Sequence, residues 1–340
     1  MSSRLQELCG YYSNRISYKE VAFLVERITG EKLLSDQKIG QIVSAKALKI
    51  SQESYKLIGA TLADSDCDVI QINPNIDIYN PREKEILLFD DGIQVKGQKG
   101  QRQNKSKQKS NTEKLLGGKT PALTTGIVIL QKATTGFEYI AAPINVKGES
   151  LLTLASVVKA KVIQEYGSQT LPLNLVAITD GAKTIRHRLL TIFGIAVTII
   201  LDWYHLCKKL REMMSMIAAN KLEKIKHLKF LLSQLWQGNT TIALEYLKHQ
   251  VKARNLDKWH ELIGYLEKHQ PEIINYKRRS QAGKTIGSGR VEKGVDLTVG
   301  SRQKNKGMSW RPLGSRAFCL LKVVELNGQW QQLSFPTQTG

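Results

Sequence analysis

Cysteine is scarce in this sequence, and its few copies are scattered. The 340 residues include four cysteines, Cys9, Cys67, Cys207 and Cys319, and no two of them form a CxxC pair. This spacing indicates neither a zinc site nor a disulfide framework. Such cysteine usage fits a reducing compartment, so we expect a cytoplasmic protein.

Long apolar runs are also missing. The run 195–201 is rich in β-branched residues, but it is far shorter than the roughly 20 apolar residues of a transmembrane helix. The N-terminus shows no apolar signal region. We therefore predict that the protein has no membrane partner.

Acidic residues are few relative to basic ones. The chain has 30 Asp and Glu against 50 Lys and Arg, a formal net charge of +20, while its hydrophobic content of 41% is ordinary for a soluble globular protein. So large a basic excess indicates a polyanionic partner, most often nucleic acid. The alternative is a basic protein without such a partner. The length allows two or three domains.

The pattern of residues 1–55 predicts helices. One apolar helical segment ends near Gly30, and Ser35 or Asp36 is suited to cap a second helix. Two short helices with glycine in their connection are typical of a helix-turn-helix, in which Lys38 would face DNA. A helical pair that does not touch DNA fits the same pattern.

In the central part of the chain, short apolar runs separated by turn residues predict alternating strands and helices. Three strands are followed by a helix, and then by strand, helix and strand. Three antiparallel strands before alternating α/β units give the element order of a ribonuclease-H-like fold. The predicted strands are 86–89, 124–130, 137–142, 175–178 and 195–201, and the first predicted helix is 151–166.

These elements divide the chain into regions. The predicted fold class is α/β, with a small helical (helix-turn-helix) domain before a ribonuclease-H-like catalytic domain that contains an all-helical insertion. The predicted regions are a helix-turn-helix at 1–55, a linker at 56–84, the first part of the core at 85–206, the helical insertion at 207–284, the C-terminal part of the core at 285–328 and a polar tail at 329–340.

A basic stretch of low apolar content spans residues 97–119. Lys99, Arg102 and Lys105 are among its cations. We predict a flexible loop that either clamps a phosphate backbone or is a solvated insertion.

Three acidic residues lie at predicted strand ends or helix starts next to glycine or other small residues. They are Asp91, Asp180 and Glu292. Asp90 competes with Asp91, because strand phase decides which side chain points inward; we favour Asp91 because glycine follows it, as glycine follows Asp180. Three converging carboxylates predict a site for two Mg²⁺ (or Mn²⁺) ions about 4 Å apart. Such ions stabilise the attacking and the leaving oxygen of an in-line displacement at phosphorus.

Asp202 and His205 form an Asp-x-x-His pair at a predicted strand-to-helix junction. Such a pair is able to cap the helix and orient the site, to ligate metal or to contact DNA. We prefer a supporting or DNA-contacting role, since a histidine beside apolar residues is more often structural.

Several short motifs in this order resemble one known family. The chain is similar to DDE transposases of bacterial insertion sequences in the Mutator-like superfamily, particularly the Kra-type group; DDE denotes two aspartates and a glutamate. The motifs are SYKEVAFLVERITG at 17–30, FDDG at 89–92, ITDGAKTIR at 178–186, LDWYH at 201–205, GSGRVEK at 287–293 and KGMSW at 306–310.

The resemblance implies a ribonuclease-H-like domain interrupted by an all-helical insertion. It implies that Asp91, Asp180 and Glu292 are the catalytic and metal-binding triad, and it places Asp202 and His205 on the family's Cys/Asp-x-x-His motif. Beside these residues, Arg290 and Trp310 are candidates for supporting the site or contacting DNA, and Arg311 is a candidate for binding DNA. Trp310 and Arg311 are suited to stack on unpaired bases, but we favour core packing for Trp310.

The resemblance also implies a function. The leading hypothesis is a nucleoid-associated bacterial transposase that acts as a homo-oligomer on double-stranded DNA, cutting and joining the ends of an insertion sequence. One alternative is an inactive or truncated transposase that only binds specific DNA. Another is a structure-selective nuclease of the same fold.

Overall fold

A five-stranded sheet organises the chain, and helices cover both of its faces. The computed structural model describes residues 1–64, 70–98, 121–169, 171–305 and 307–334. The strands run in the order β3-β2-β1-β4-β5. They are β1 (Ile86–Lys96), β2 (Ala122–Gln131), β3 (Phe137–Ile140), β4 (Leu175–Thr179) and β5 (Thr198–Leu201). The prediction of a mixed α/β protein is confirmed.

The sheet is antiparallel on one side and parallel on the other. β1 pairs antiparallel with β2, and β2 pairs antiparallel with β3. β1 pairs parallel with β4, and β4 pairs parallel with β5. The parallel connections are made by α4 (Leu154–Tyr166), which follows β3, and α5 (Lys183–Phe193), which follows β4. A 3₁₀ turn at Gly194–Ala196 occupies the start of the run for which we predicted a strand.

Alternation along the strands sends apolar side chains to two separate cores. Leu88 and Ala177 face a core that α4 and α5 complete. Phe89, Ile178 and Ile200 face a second core on the opposite side of the sheet. Both faces are buried, as is usual for strands of a parallel sheet.

The N-terminal helices are α1 (Ser3–Ser13), α2 (Tyr18–Thr29) and α3 (Asp36–Ala63). Ser35 caps α3 as predicted, and its hydroxyl accepts a hydrogen bond from the Lys38 amide at 3.1 Å. The prediction of a short second helix and of a linker beginning at residue 56 is wrong. Ile50 and Ile58 extend the apolar face of α3 and are buried, so the helix continues to Ala63.

The N-terminal helices do not have a core of their own. They share one with α12 (Pro312–Leu326) from the other end of the chain. Ile39 and Val43 of α3 are buried in it together with Phe318 and Leu321 of α12. This shared core attaches the N-terminal region to the sheet-containing part of the molecule.

The chain between β5 and residue 284 is helical. It contains α6 (Trp203–Ile217), α7 (Lys221–Trp236), α8 (Thr240–Gln250), α9 (Leu256–Lys268), a 3₁₀ turn at Gln270–Glu272 and α10 (Tyr276–Gln281). The Tyr276 hydroxyl donates a hydrogen bond to the Leu201 carbonyl at 2.7 Å, and its ring packs on Trp203. These contacts fasten the helical segment to the end of β5.

A buried ion pair fastens its C-terminal end to the start of the sheet. The fully buried Arg279 guanidinium donates two hydrogen bonds to Glu85, at 2.8 and 2.7 Å. It also donates to the carbonyls of Thr285 and Ile78. Lys284 binds the same carboxylate at 2.7 Å. The segment after the helices is thereby held beside the residue that precedes β1.

The remaining elements return to the sheet. α11 (Gly289–Val295) continues through a π-helical turn at Asp296–Gly300 into Ser301–Gln303. Trp310 then forms a parallel bridge with Gly97, just beyond β1. α12 follows, and α13 (Trp330–Ser334) occupies the beginning of the predicted tail, where Trp330 is buried and donates to Glu7 at 2.7 Å. No helix within the described ranges is long and apolar enough to cross a membrane.

Candidate active site

Strand register sets three aspartates in one row across the sheet. Thr179 of β4 pairs with Asp90 of β1 on one side and with Leu201 of β5 on the other. The residues that come next on these strands are Asp91, Asp180 and Asp202. Neighbouring strands lie about 4.8 Å apart, so the three residues are close. Asp180 and Asp202 follow strand ends; Asp91 lies inside β1, contrary to the prediction, although the parallel pairing of β1 stops just before it.

The sheet places Asp90 and Asp91 on opposite faces. Asp90 is buried and forms an ion pair with Arg188 of α5 at 2.6 Å. Burial raises the pKa of the Asp90 carboxyl to about 6, even though the Arg188 charge acts in the opposite direction. Since successive strand side chains alternate, Asp91 points away from Arg188.

Asp91 faces a cluster of charged side chains. Burial raises the pKa of its carboxyl; the Gly92 amide lowers it, Asp180 raises it, His205 lowers it and Glu292 raises it. Asp180, His205 and Glu292 therefore all lie close enough to act electrostatically on Asp91.

Backbone amides hold one oxygen of the Asp91 carboxylate and one of the Asp180 carboxylate. Asp91 Oδ1 accepts from the Gly92 amide at 2.6 Å, and Asp180 Oδ1 accepts from the Ala182 amide at 2.8 Å. Within the described ranges, the hydrogen bonds recorded for these two side chains use only that oxygen. The second oxygen of each carboxylate is left for another ligand.

Glu292 reaches the same region from α11. Val291 and Val295 bury one face of this helix against the sheet. Gly294 makes the approach possible, because a Cβ at this position would lie 2.5 Å from Ile129 Cδ1 of β2. The opposite face carries the Glu292 carboxylate, whose side chain is 51% exposed.

Asp202, His205 and Glu292 form a compact group of potential metal ligands. Among the described residues, their potential ligand atoms lie within 4.8 Å of one another. His205 Nδ1 is 3.4 Å from Glu292 Oε1 without hydrogen-bond geometry, and this buried nitrogen has no hydrogen-bond partner in the described part of the chain. Asp91 and Asp180 stand outside this group in the conformation described.

The Asp202 carboxylate is occupied by the protein itself. It is fully buried, and Oδ1 accepts from the His205 amide at 2.8 Å as the N-cap of α6. Oδ2 accepts from both the amide and the hydroxyl of Ser288, the residue that precedes α11. The Trp203 amide also donates to the Ile286 carbonyl at 3.1 Å. Asp202 thus joins the starts of α6 and α11.

The other predicted site residues are dispersed. Arg290 is exposed and lies over the Phe137 ring, 3.8 Å from its centroid. Trp310 is half-buried against Phe318, with its indole N–H bound to the Gln303 carbonyl at 3.1 Å. Arg311 and Lys38 are exposed at the starts of α12 and α3. Lys99, Arg102 and Lys105, with most of the predicted basic loop, lie outside the described residues.

The sequence interpretation assigned no role to three residues that border the site. Ser288 was noted only as a small neighbour of Glu292, although the Gly-Ser-Gly run offered a hydroxyl beside it. His269 and Glu272 come from the end of the helical segment and reach the turn after Asp180. Nothing in the local sequence signals that contact.

Comparison with known proteins gives little. No family model matches the chain, and no curated protein matches it. One similar solved structure is a Drosophila P element transposase strand transfer complex, with 10% sequence identity and a TM-score of 0.27 over 98% of this chain and 80% of that chain. A similarity at that TM-score does not establish a shared fold.

Proposed function

We propose that this protein is a transposase with a ribonuclease-H-like core, which cuts and joins DNA at the ends of an insertion sequence using divalent metal ions. The strand order β3-β2-β1-β4-β5, with three antiparallel strands before two parallel ones, supports this core. The helical segment between β5 and α11 fits the insertion that the family resemblance implies. The sequence motifs support membership of the Kra-type group.

The observation that carries the proposal is the electrostatic effect on Asp91 of two acidic residues from distant parts of the chain. Asp91 and Asp180 follow adjacent positions of two parallel strands, and Glu292 acts on the charge of Asp91 from α11. Ligands of α/β sheets bind at the carboxyl ends of parallel strands. This is where a DDE triad belongs.

The donor set fits a hard divalent ion. Asp91 and Asp180 each have one oxygen held by a backbone amide and one oxygen left for a ligand. The exposed Glu292 carboxylate adds a third oxygen donor, and Mg²⁺ and Mn²⁺ prefer oxygen ligands. We assign the ions to Asp91, Asp180 and Glu292.

Each residue then has a defined task. When bound, the divalent ions would activate a water or a 3′-hydroxyl and stabilise the departing 3′-oxygen. The Gly92 and Ala182 amides fix the orientation of the Asp91 and Asp180 carboxylates. Asp202 positions Glu292 by fixing Ser288 at the start of α11, and its oxygens are too fully engaged for a metal ligand. His205 places its imidazole beside the Glu292 carboxylate.

The excess of basic residues supports DNA as the partner. With a net charge of +20, Lys38, Arg311 and the cations of the 97–119 stretch are available to neutralise phosphates. Binding should therefore weaken steeply as salt rises. We also propose that the protein assembles as a homo-oligomer on two DNA ends and that it acts in a bacterial cytoplasm.

The test is a cleavage assay with supercoiled plasmid and with DNA that carries the genomic flanks of the gene. We expect nicking and strand transfer that need Mg²⁺ or Mn²⁺ and that stop on chelation. Asp91→Asn, Asp180→Asn and Glu292→Gln should each lower the rate about 1000-fold or more, because loss of a metal ion removes several kcal/mol of transition-state stabilisation.

The matched control is Asp257→Asn, which removes an exposed carboxylate from the first turn of α9 and should leave the rate unchanged. The three triad variants should still bind DNA. DNA binding by the wild-type protein without any metal-dependent nicking would instead favour the non-catalytic DNA-binding protein. Cutting of branched DNA without strand transfer would favour the nuclease.

A further inference from the structure

The end of the helical segment packs directly on the turn that carries Asp180. Gly181 has φ +81°, and a Cβ there would lie 2.8 Å from His269 Cε1 and 2.8 Å from Leu201 Cδ1. The His269 ring thus covers the open face of this glycine.

The turn at Gln270–Glu272 contacts β5, so the segment that ends at His269 lies against the same edge of the sheet as Asp180.

Two buried side chains, His269 and Glu272, and the half-exposed Arg186 lie behind this contact. His269 Nδ1 and Glu272 Oε2 are 2.6 Å apart, and their side chains are 1% and 5% exposed. The other oxygen of Glu272 is 3.2 Å from Arg186 Nε, an ion pair without hydrogen-bond geometry. Arg186 lies in the first turns of α5, the helix that begins directly after the Asp180 turn. Glu272 therefore connects the helical segment to α5, the helix that follows that turn.

An apolar cluster would fill this space at lower cost, because burying an ion pair is expensive and replacing one with apolar residues is often neutral or stabilising. Polar and charged contacts differ from apolar ones in that each side chain fixes the orientation of its partner. Groups that orient metal ligands in this way typically change metal affinity 10- to 100-fold when they are removed.

We propose that His269 and Glu272 are positioning residues, through which the helical segment sets the Asp180 turn in the orientation that binds metal. His269 packs on Gly181, Glu272 holds His269, and Arg186 ties Glu272 to α5. The metal-binding part of this inference rests on the proposed function; the ordering of the turn does not.

The experiment compares wild-type protein with Glu272→Gln and His269→Ala, all free of metal at first. Glu272→Gln keeps the shape of the side chain and still bonds to His269, but it loses the charge that holds Arg186. We expect hydrogen–deuterium exchange at the Ala182 amide, which donates to Asp180 Oδ1, to become at least tenfold faster in both variants. Mn²⁺ titration followed by calorimetry should then give a 10- to 100-fold weaker Kd.

Glu267→Gln is the matched control. Glu267 pairs with Lys248 at 2.8 Å on the surface of the same helical segment and is 49% exposed, so neither readout should change. Unchanged exchange at Ala182 in both Glu272→Gln and His269→Ala would overturn the inference, whether or not metal binds. Faster exchange in a protein whose wild type binds no Mn²⁺ would support the positioning role and refute the proposed function instead.

Discussion

Replacing Asp202 with asparagine separates two roles for this carboxylate. Its proximity to His205 and Glu292 would suit a metal ligand, whereas its hydrogen bonds to His205 and Ser288 make it a link between α6 and α11. Asp202→Asn keeps the shape of the side chain and removes the charge and one acceptor. The two roles predict opposite changes in the stability of the metal-free protein.

The magnitude follows from the hydrogen bonds. An asparagine that still caps α6 through its oxygen turns its NH₂ group toward the Ser288 amide, and two donors then face each other in a buried site. If the amide flips, the His205 amide loses its cap instead. A hydrogen bond to a charged group contributes about 1.5–3 kcal/mol, and an unpaired buried donor costs about 1–3 kcal/mol. We expect a loss of about 2–3 kcal/mol.

The assay is urea unfolding in the presence of a chelator, followed by circular dichroism. With a slope of about 2–3 kcal/mol/M, the expected loss lowers the unfolding midpoint by about 1 M. Asp257→Asn should lower it far less, because an exposed charge in a first helical turn contributes about 0.3–1 kcal/mol.

The opposite result would refute this reasoning. If Asp202 were a metal ligand in a repulsive acidic cluster, removing its charge would leave the metal-free protein equally stable or more stable. Mn²⁺ affinity would then fall by the direct loss of a ligand. That pair of outcomes would move Asp202 from the supporting residues to the metal ligands.

Two further predictions concern buried groups away from the acidic row. Arg279→Met should lower the free energy of unfolding by about 3–5 kcal/mol in urea titrations, because Glu85 would keep only one of its two buried cationic partners. Burial raises the pKa of the Cys319 thiol to about 12, so at pH 8 about one thiol in 10⁴ is ionised. We expect mass spectrometry to find Cys319 unmodified by iodoacetamide in the folded protein and alkylated in urea.

Both predictions have direct controls. Lys277→Met changes an exposed cation on the same short helix as Arg279 and should cost little. A loss below about 1 kcal/mol for Arg279→Met would mean that the ion pair contributes no more than a surface pair. Rapid alkylation of Cys319 in the folded protein would show that α12 opens far more often than its buried packing predicts.

Local patterns predicted much of the secondary structure. The alternation and β-branched content of the central region indicated each of the five strands, and the helix cap was narrowed to Ser35 or Asp36, of which the structure uses Ser35. The end of α3 was missed because the aspartates, asparagines and prolines from Asp64 onward indicated a linker over the whole of 56–84, although Ile58 continued the buried stripe of the helix. Asp91 was favoured over Asp90 from the glycine that follows, and the strand register then put the two side chains on opposite faces.

The contacts that join distant residues could not be predicted in this way. Arg279 with Glu85, Ser288 with Asp202, and Glu272 with Arg186 are separated by 86 to 194 positions in the chain. A sequence pattern shows which residues are charged, but it does not show which of them will be buried together. Only the packing of the helical segment against the sheet selects these partners.

The sequence by itself determined the order of strands and helices, the basic surplus and the acidic residues beside glycine, because these depend on local periodicity and composition. The tertiary structure alone decided that Asp91, Asp180 and Asp202 share one row, that Asp202 is bound to Ser288, and that Glu272 reaches the Asp180 turn. Strand register and helix docking are set by the fit of whole surfaces, and that fit is a property of the folded chain.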